Sequence, residues 1–228
     1  MLTDERSAGP LLKRTKHGGG SSLVKVVVRL RPGQPGEGRN VVSVDENNTV
    51  TVEDPVEKTP GMAQGWCRSG GFTVDHAFDA VAPTSDIYKD TVQRLVSCVV
   101  REGTNACCFA FGATGSGKTY TMEGTGESPG VMQLAIRDLF SWAEPSATVV
   151  ASYFQIYCEN VTDLLHTDEQ PVAALQAPEL AVRMDADGRT QVVGLREVVV
   201  ASENELLALL TQGSARRATF GTAVNETS

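Results

Sequence analysis

The chain has little of what histidine- or metal-based sites are made from. Only three histidines occur in 228 residues, and His17, His76 and His166 stand apart, with no carboxylate or thiol at ligand spacing. That argues against imidazole catalysis and against a metal centre built on imidazole. Cysteine is sparse and odd in number: Cys67, Cys98, Cys107, Cys108 and Cys158 show no zinc-type spacing. They read as free thiols in a reducing compartment, and a strand through the adjacent Cys107 and Cys108 would point them to opposite faces. Positive charge is in deficit, with 20 Lys and Arg against 28 Asp and Glu and a net charge of −8. Such a balance argues against a general nucleic-acid binder, whose domains carry a positive field. No apolar run is long enough to span a bilayer, and no internal repeat is visible.

What remains is an ordinary globular composition, 41% hydrophobic and 21% charged, in a chain long enough to bury a sizeable core. Residues 1–22 lack an apolar signal core and end in Gly-Gly-Gly-Ser-Ser, so a flexible tail is expected there, with Lys13, Arg14 and Lys16 solvated. A single domain over 23–228 follows. "LVKVVVRLRP" (23–32) predicts a first strand, and "VVSVDENNTVTVED" (41–54) a hairpin turning at Asn47-Asn48. Residues 60–71 form a loop, and "FTVDHAF" (72–78) another strand. A helix is expected from Thr84, where Tyr88, Val92, Leu95, Val96 and Val99 share a face and Gly103 ends the pattern. A second helix covers 131–143, a strand 148–157, and a hairpin turns at 185–190. Ser202 and Glu205 form a capping box opening a last helix. Strands interleaved with helices predict an α/β fold.

One stretch carries chemistry. "FGATGSGKTYTM" (111–122) meets the pattern G-x-x-x-x-G-K-[ST] with Gly112, Gly117, Lys118 and Thr119. Glycines let the backbone bend around phosphate oxygens and aim N–H groups at them. Lys118 would reach the β- and γ-phosphates, and the Thr119 hydroxyl would ligate Mg²⁺. A helix beginning there would add its positive end. "NACCFAF" (105–111) reads as the buried strand that feeds the turn, and "EGTGESPG" (123–130) as the loop that follows. A nucleoside triphosphate site is expected across Gly112, Ala113, Thr114, Gly115, Ser116, Gly117, Lys118, Thr119 and Tyr120.

Several motifs in order resemble one family. "FAFGATGSGKTYTM", "VVVRLRP", "SYFQIYCENVTDLL" (152–165) and the spaced Gly213, Arg217, Thr222, Asn225 and Ser228 are similar to the N-terminal part of a kinesin motor domain, from about residue 24 to residue 228. The resemblance implies a P-loop NTPase of the kinesin type, with a central mixed sheet flanked by helices and incomplete at its C-terminal end. It implies ATP with Mg²⁺ as cofactors, microtubules (tubulin) as partner, dimerisation through regions outside this chain, and a place in the cytoplasm on the cytoskeleton. By the same resemblance, Arg29, Arg31 and Pro32 border the adenine and Tyr88 stacks on it; flat guanidinium and phenol faces suit a purine. Read from the residues alone, Tyr88 is a core aromatic on the helix face noted above. Lys118, Asn225 and Ser228 are the implied catalytic residues, the last two in a switch that senses the γ-phosphate. ATP is also favoured over GTP because no Asn-Lys-x-Asp motif occurs.

Ala113 stands where the family commonly has glutamine, a small change in a loop that grips phosphate through backbone N–H groups. The resemblance also implies that residue 228 falls inside the first switch, with the second switch and most of the microtubule surface beyond it. Two readings follow: a microtubule-stimulated motor ATPase in the complete protein, with this segment alone inactive; or a truncated or degenerate motor-like module that binds nucleotide without hydrolysis. If the family's strand order holds, the phosphate-loop strand lacks its sheet neighbours here, and the strands present fall into separate groups.

Overall fold

A computed structural model describes residues 24–36, 38, 40–53, 70–166, 180–186, 188 and 190–225, the side chains of 218–225 excepted. The expected tail (1–22), most of the expected loop at 60–71, and Ser228 lie outside the described residues. The chain divides into two compact units: one takes in the residues up to Leu30 and Gln34–Asp79, the other Arg31–Gly33 and the residues from Ala80 on.

The first unit holds β1 (Val27–Arg29), β2 (Val42–Val44), β3 (Thr49–Val52), β4 (Gly70–Thr73) and β5 (His76–Phe78). β1 runs parallel to β5, and β2–β3–β4 form an antiparallel sheet. The predicted hairpin turn is present, with Asn48 in the left-handed region at φ 58°. Asp45 organises it: one carboxylate oxygen accepts from the N–H groups of Asn47 (2.9 Å) and Thr49 (2.8 Å). The Thr49 amide first, and then the Asn47 amide, hold the Asp45 carboxyl below the ordinary carboxylate value, against an opposing effect of burial. The expected single strand at 72–78 is two strands. The chain bends at Val74 and Asp75, where the Asp75 carboxylate accepts from the Val26 N–H at 2.8 Å. The Asn48 side-chain oxygen then accepts from the Ala77 N–H at 2.9 Å, tying the hairpin turn to β5.

The second unit opens with α1 (Thr84–Ile87), a π-helical stretch (Tyr88–Val92) and α2 (Gln93–Glu102). This is the predicted amphipathic helix, widened where the Thr91 hydroxyl bonds back to the Ile87 carbonyl. Gly103 ends it at φ 65°. Then come α3 (Lys118–Glu123), α4 (Val131–Trp142), β6 (Val149–Ala151), β7 (Phe154–Tyr157), β8 (Asn160–Asp163), β9 (Ala181–Met184), β10 (Thr190–Val193), β11 (Val198–Val200) and α5 (Glu203–Asn225).

α4 is the shared wall of two apolar clusters. Its Val131 packs with the buried Tyr88 and Val92, flanked by Val96 and Met122. One turn and a half later, Ile136 packs with Val200 and Leu206, flanked by Phe140 and Val149. Each such aliphatic side chain contributes about 1.5–3 kcal/mol by leaving water. The capping box forms at α5: the Glu205 N–H donates to the Ser202 hydroxyl (3.3 Å), and the Glu205 carboxylate accepts from the Ala201 N–H (2.8 Å).

Among the described residues the strands pair in five small sheets: β1 with β5, β2–β3–β4, β6 with β11, β7 with β8, and β9 with β10. The expected strand at 148–157 breaks at Ser152-Tyr153, where the Tyr153 carbonyl accepts from the Leu164 N–H at 2.8 Å. Two consecutive residues, Cys158 (φ 45°) and Glu159 (φ 66°), turn β7 into β8. The reading of 105–111 as a buried strand is corrected. The segment joins no ladder, and Phe109 and Phe111 are 79% and 97% exposed. Its composition suits a strand, but a strand requires hydrogen-bonding neighbours, and none of the described strands pairs with it.

Candidate functional site

Residues 112–119 form a tight turn running into α3. Gly115 and Gly117 sit at φ 77° and 93°, conformations that a side chain with a Cβ resists. The Ser116 N–H donates to the Ala113 carbonyl (3.2 Å), and the Thr121 N–H donates to the Gly117 carbonyl (2.9 Å), starting the helix. The Lys118 ammonium donates to the carbonyls of Gly112 and Ala113, both at 2.8 Å. Lys118 therefore lies across the loop that it follows in sequence. Ala113, Thr114, Gly115 and Ser116 on the rim are exposed, as are Thr119 and Tyr120. Because α3 has only six residues, its dipole adds little. What the turn offers an anion is its loop N–H groups and the Lys118 charge.

The other predicted site residues are spread more widely. Arg29 is in β1 of the first unit, whereas Arg31, Pro32 and Tyr88 belong to the second, as does the loop. The Arg31 guanidinium donates to the Pro32 carbonyl at 3.3 Å. Tyr88 is 4% exposed, with its ring in the cluster of Val92 and Val131 that also receives Met122 of α3. Its hydroxyl donates to Asp138 of α4 at 2.8 Å, and the Gln93 amide donates to the same carboxylate oxygen at 2.9 Å. Burial first, then the Asp138 carboxylate, pushes the Tyr88 phenol well above its ordinary pKa. Its surroundings are those of a core aromatic, in the cluster against which Met122 of α3 also packs. Asn225 is the last residue of α5, so the approach to the implied switch is helical.

Two groups that the sequence did not single out join the site's periphery. Glu123, at the C-terminal end of α3, accepts from Arg217 of α5 at 2.6 Å and from the Ser214 hydroxyl at 3.4 Å. Ser214 also bonds the Tyr153 hydroxyl at 3.2 Å. Partners 50 to 94 residues apart leave no local pattern to read.

A glycine-bent turn of this form, opening a helix, agrees with what the chain resembles elsewhere. The family described as the kinesin motor domain matches residues 29–228. The chain belongs to the kinesin motor-domain family. It is 35% identical over 211 residues to the human kinesin-like protein KIF24, covering 89% of this chain and 14% of that protein. Kinesin-like protein KIN-8A of Oryza sativa subsp. japonica is 36% identical over 216 residues, with 91% and 26% covered. A solved structure of a fast kinesin superposes with a TM-score of 0.73 at 30% identity, covering 89% of this chain and 55% of that one. The kinesin motor fold, of P-loop NTPase type, is therefore established for this chain. The chain spans about half of that solved structure, and about a seventh and a quarter of the two kinesin-like proteins.

Proposed function

We propose that this chain is the ATP-binding part of a microtubule motor domain, in which ATP hydrolysis drives movement along microtubules. The single observation that carries this is the turn at 112–119, with its left-handed glycines, exposed rim and cationic Lys118, in a chain of the kinesin family. The fast-kinesin structure, described for its ATPase mechanism and its interactions with microtubules, supports the same reading. Lys118 is the group that trades its two carbonyl partners for the β- and γ-phosphates. The Thr119 hydroxyl, exposed at the first turn of α3, would help hold a Mg²⁺ ion. Bound there, Mg²⁺ would neutralise charge on the β- and γ-oxygens.

Arg31 and Pro32 are proposed at the adenine edge. Tyr88 acts as a support of α3, and Asn225 and Ser228 belong to the γ-phosphate switch. The proposed location is the cytoplasmic microtubule cytoskeleton; among the described residues, no helix is long and apolar enough to cross a membrane.

Titration of the purified chain with a fluorescent ATP analogue tests the site. Lys118→Ala removes a charge-assisted contact worth about 1.5–3 kcal/mol, so binding should weaken about 10- to 100-fold. Thr119→Ala should weaken binding in the presence of Mg²⁺ and leave it unchanged in EDTA. Unaltered affinity in the Lys118 variant would remove the assignment. Steady-state hydrolysis with and without microtubules, measured on the complete protein, separates a motor ATPase from a binding module without turnover.

A further inference from the structure

Lys118 and Glu123 are the first and last residues of α3. They stand about 7.5 Å apart along its axis at 1.5 Å per residue. At one end, Lys118 bonds the Gly112 and Ala113 carbonyls. At the other, Glu123 pairs with Arg217 and accepts from Ser214, both on α5. α5 is the helix whose last residue is Asn225. A helix this short is stiff, so a displacement of its Lys118 end would be carried to Glu123.

α5 is gripped from a second side. Arg216, next to Arg217, donates to the carbonyls of Leu164 and His166. Gly213 lies so close to the Tyr153 ring that an added Cβ would stand 2.3 Å from it. The 153–166 segment thus fixes the middle of α5, and Glu123 is the described contact that joins α5 to the phosphate turn's own helix. The pair is half-buried, with side-chain exposures of 40% for Arg217 and 25% for Glu123, so water screens it only in part.

We propose that the Glu123–Arg217 ion pair is a positioning strut that passes the occupancy of the phosphate turn into α5 and so to the backbone leading to Asn225. The inference rests on the ATP site proposed above. Its two alternative arrangements are set by Lys118, bonded either to the loop carbonyls or to phosphate. Neither Glu123 nor Arg217 touches the nucleotide in this scheme. Both act through other groups.

Hydrogen exchange at the backbone of residues 218–225, measured with and without MgATP, reads the coupling directly. In the unmodified chain, ATP should slow exchange there by about threefold or more, a shift within the range of local opening equilibria. Glu123→Ala and Arg217→Gln should bind the ATP analogue within about threefold of the unmodified chain, since a partly exposed pair contributes little to a site it does not touch. In both variants the ATP-dependent slowing should vanish. Arg217→Lys should retain it, because Arg217 reaches Glu123 through one nitrogen and an ammonium can make that point contact.

Equal ATP-dependent slowing in Glu123→Ala, Arg217→Gln and the unmodified chain would overturn the proposal. So would its absence from a chain that binds ATP. Loss of slowing in Arg217→Lys together with a lowered melting temperature would reduce the pair to a structural contact and overturn it equally. A chain that binds no ATP would remove the nucleotide site itself, and this inference with it.

Discussion

α4 and residues 105–111 are both apolar, yet they meet opposite fates. "VMQLAIRDLFSW" buries Val131 and Ile136 in two separate clusters, whereas "NACCFAF" leaves Phe111 97% exposed. The difference lies in where the backbone finds its partners. A helix satisfies its N–H and C=O groups within its own residues, so α4 needs only side-chain neighbours to be stable. An extended segment must borrow partners from other strands, and none of the described strands offers them to 105–111. Val92, Leu95, Val96 and Val99 of the helix before it, with Ile136 and Leu139 of α4, instead line a cavity of about 230 Å³ next to Ala106, Cys107 and Cys108. Apolar composition identifies a residue that gains from burial. Whether burial happens is decided by chain elsewhere.

The contrast can be broken most directly by truncating one residue on each side. Ile136→Ala should lower the unfolding free energy in urea by about 2–5 kcal/mol. Phe111→Ala should stay within about 0.5 kcal/mol, as exposed positions do. A core-sized cost at Phe111 would mean that this segment is covered in solution. Amide exchange should agree, with α4 protected and 105–111 exchanging freely.

A smaller effect sharpens the helical side. Tyr88→Phe removes a hydrogen bond to a carboxylate, and should cost about 1.5–3 kcal/mol. The phenol's pKa is raised in the folded chain, so its contribution is present below the ordinary tyrosine value near 10. Stability should therefore fall as pH rises past about 10, and less steeply in the phenylalanine variant. Phenolate absorbance against pH, followed together with circular dichroism, checks the order of events.

The smallest expected effect concerns the first unit. Asp45 has a lowered pKa, so what it contributes is present above the ordinary carboxylate value near 4 and is lost as pH falls through the folded value. Chemical shifts of the 45–49 turn should follow that loss on acidification. Asp45→Asn should flatten the response, and an unchanged acid profile would deny Asp45 its part in the turn.

Sequence reading succeeded where the signal was local. Asn47-Asn48, the Ser202–Glu205 capping box, Gly103 and the glycine-bent turn at 112–119 each act through residues a few positions away, and each takes the backbone form expected of it. The amphipathic helix from Thr84 was legible for the same reason, although its π-helical widening at Tyr88–Val92 was not. Strand boundaries at 72–78 and 148–157 were less legible, because bonds from Asp75 and to Tyr153 interrupt runs that composition makes continuous. Tyr88 with Asp138, and Glu123 with Arg217, are pairings across 50 and 94 residues. Nothing in either neighbourhood announces them.

Arg216 and Arg217 also limit how α5 can move. Neighbouring residues stand about 100° apart around a helix axis, and these two hold partners on different elements: the 164–166 turn and Glu123. A twist in either sense draws one arginine away from its partner, so the two act together as a key against rotation. Leu206 seats the first half of the helix against Ile136, and Gly213 rests on the Tyr153 ring. Over the dozen residues from Gly213 to Asn225, about 18 Å of helix, a tilt of a few degrees becomes a lateral step of about 1–2 Å at the far end. That is a lever, with its fulcrum at Gly213, where an added Cβ would meet the Tyr153 ring.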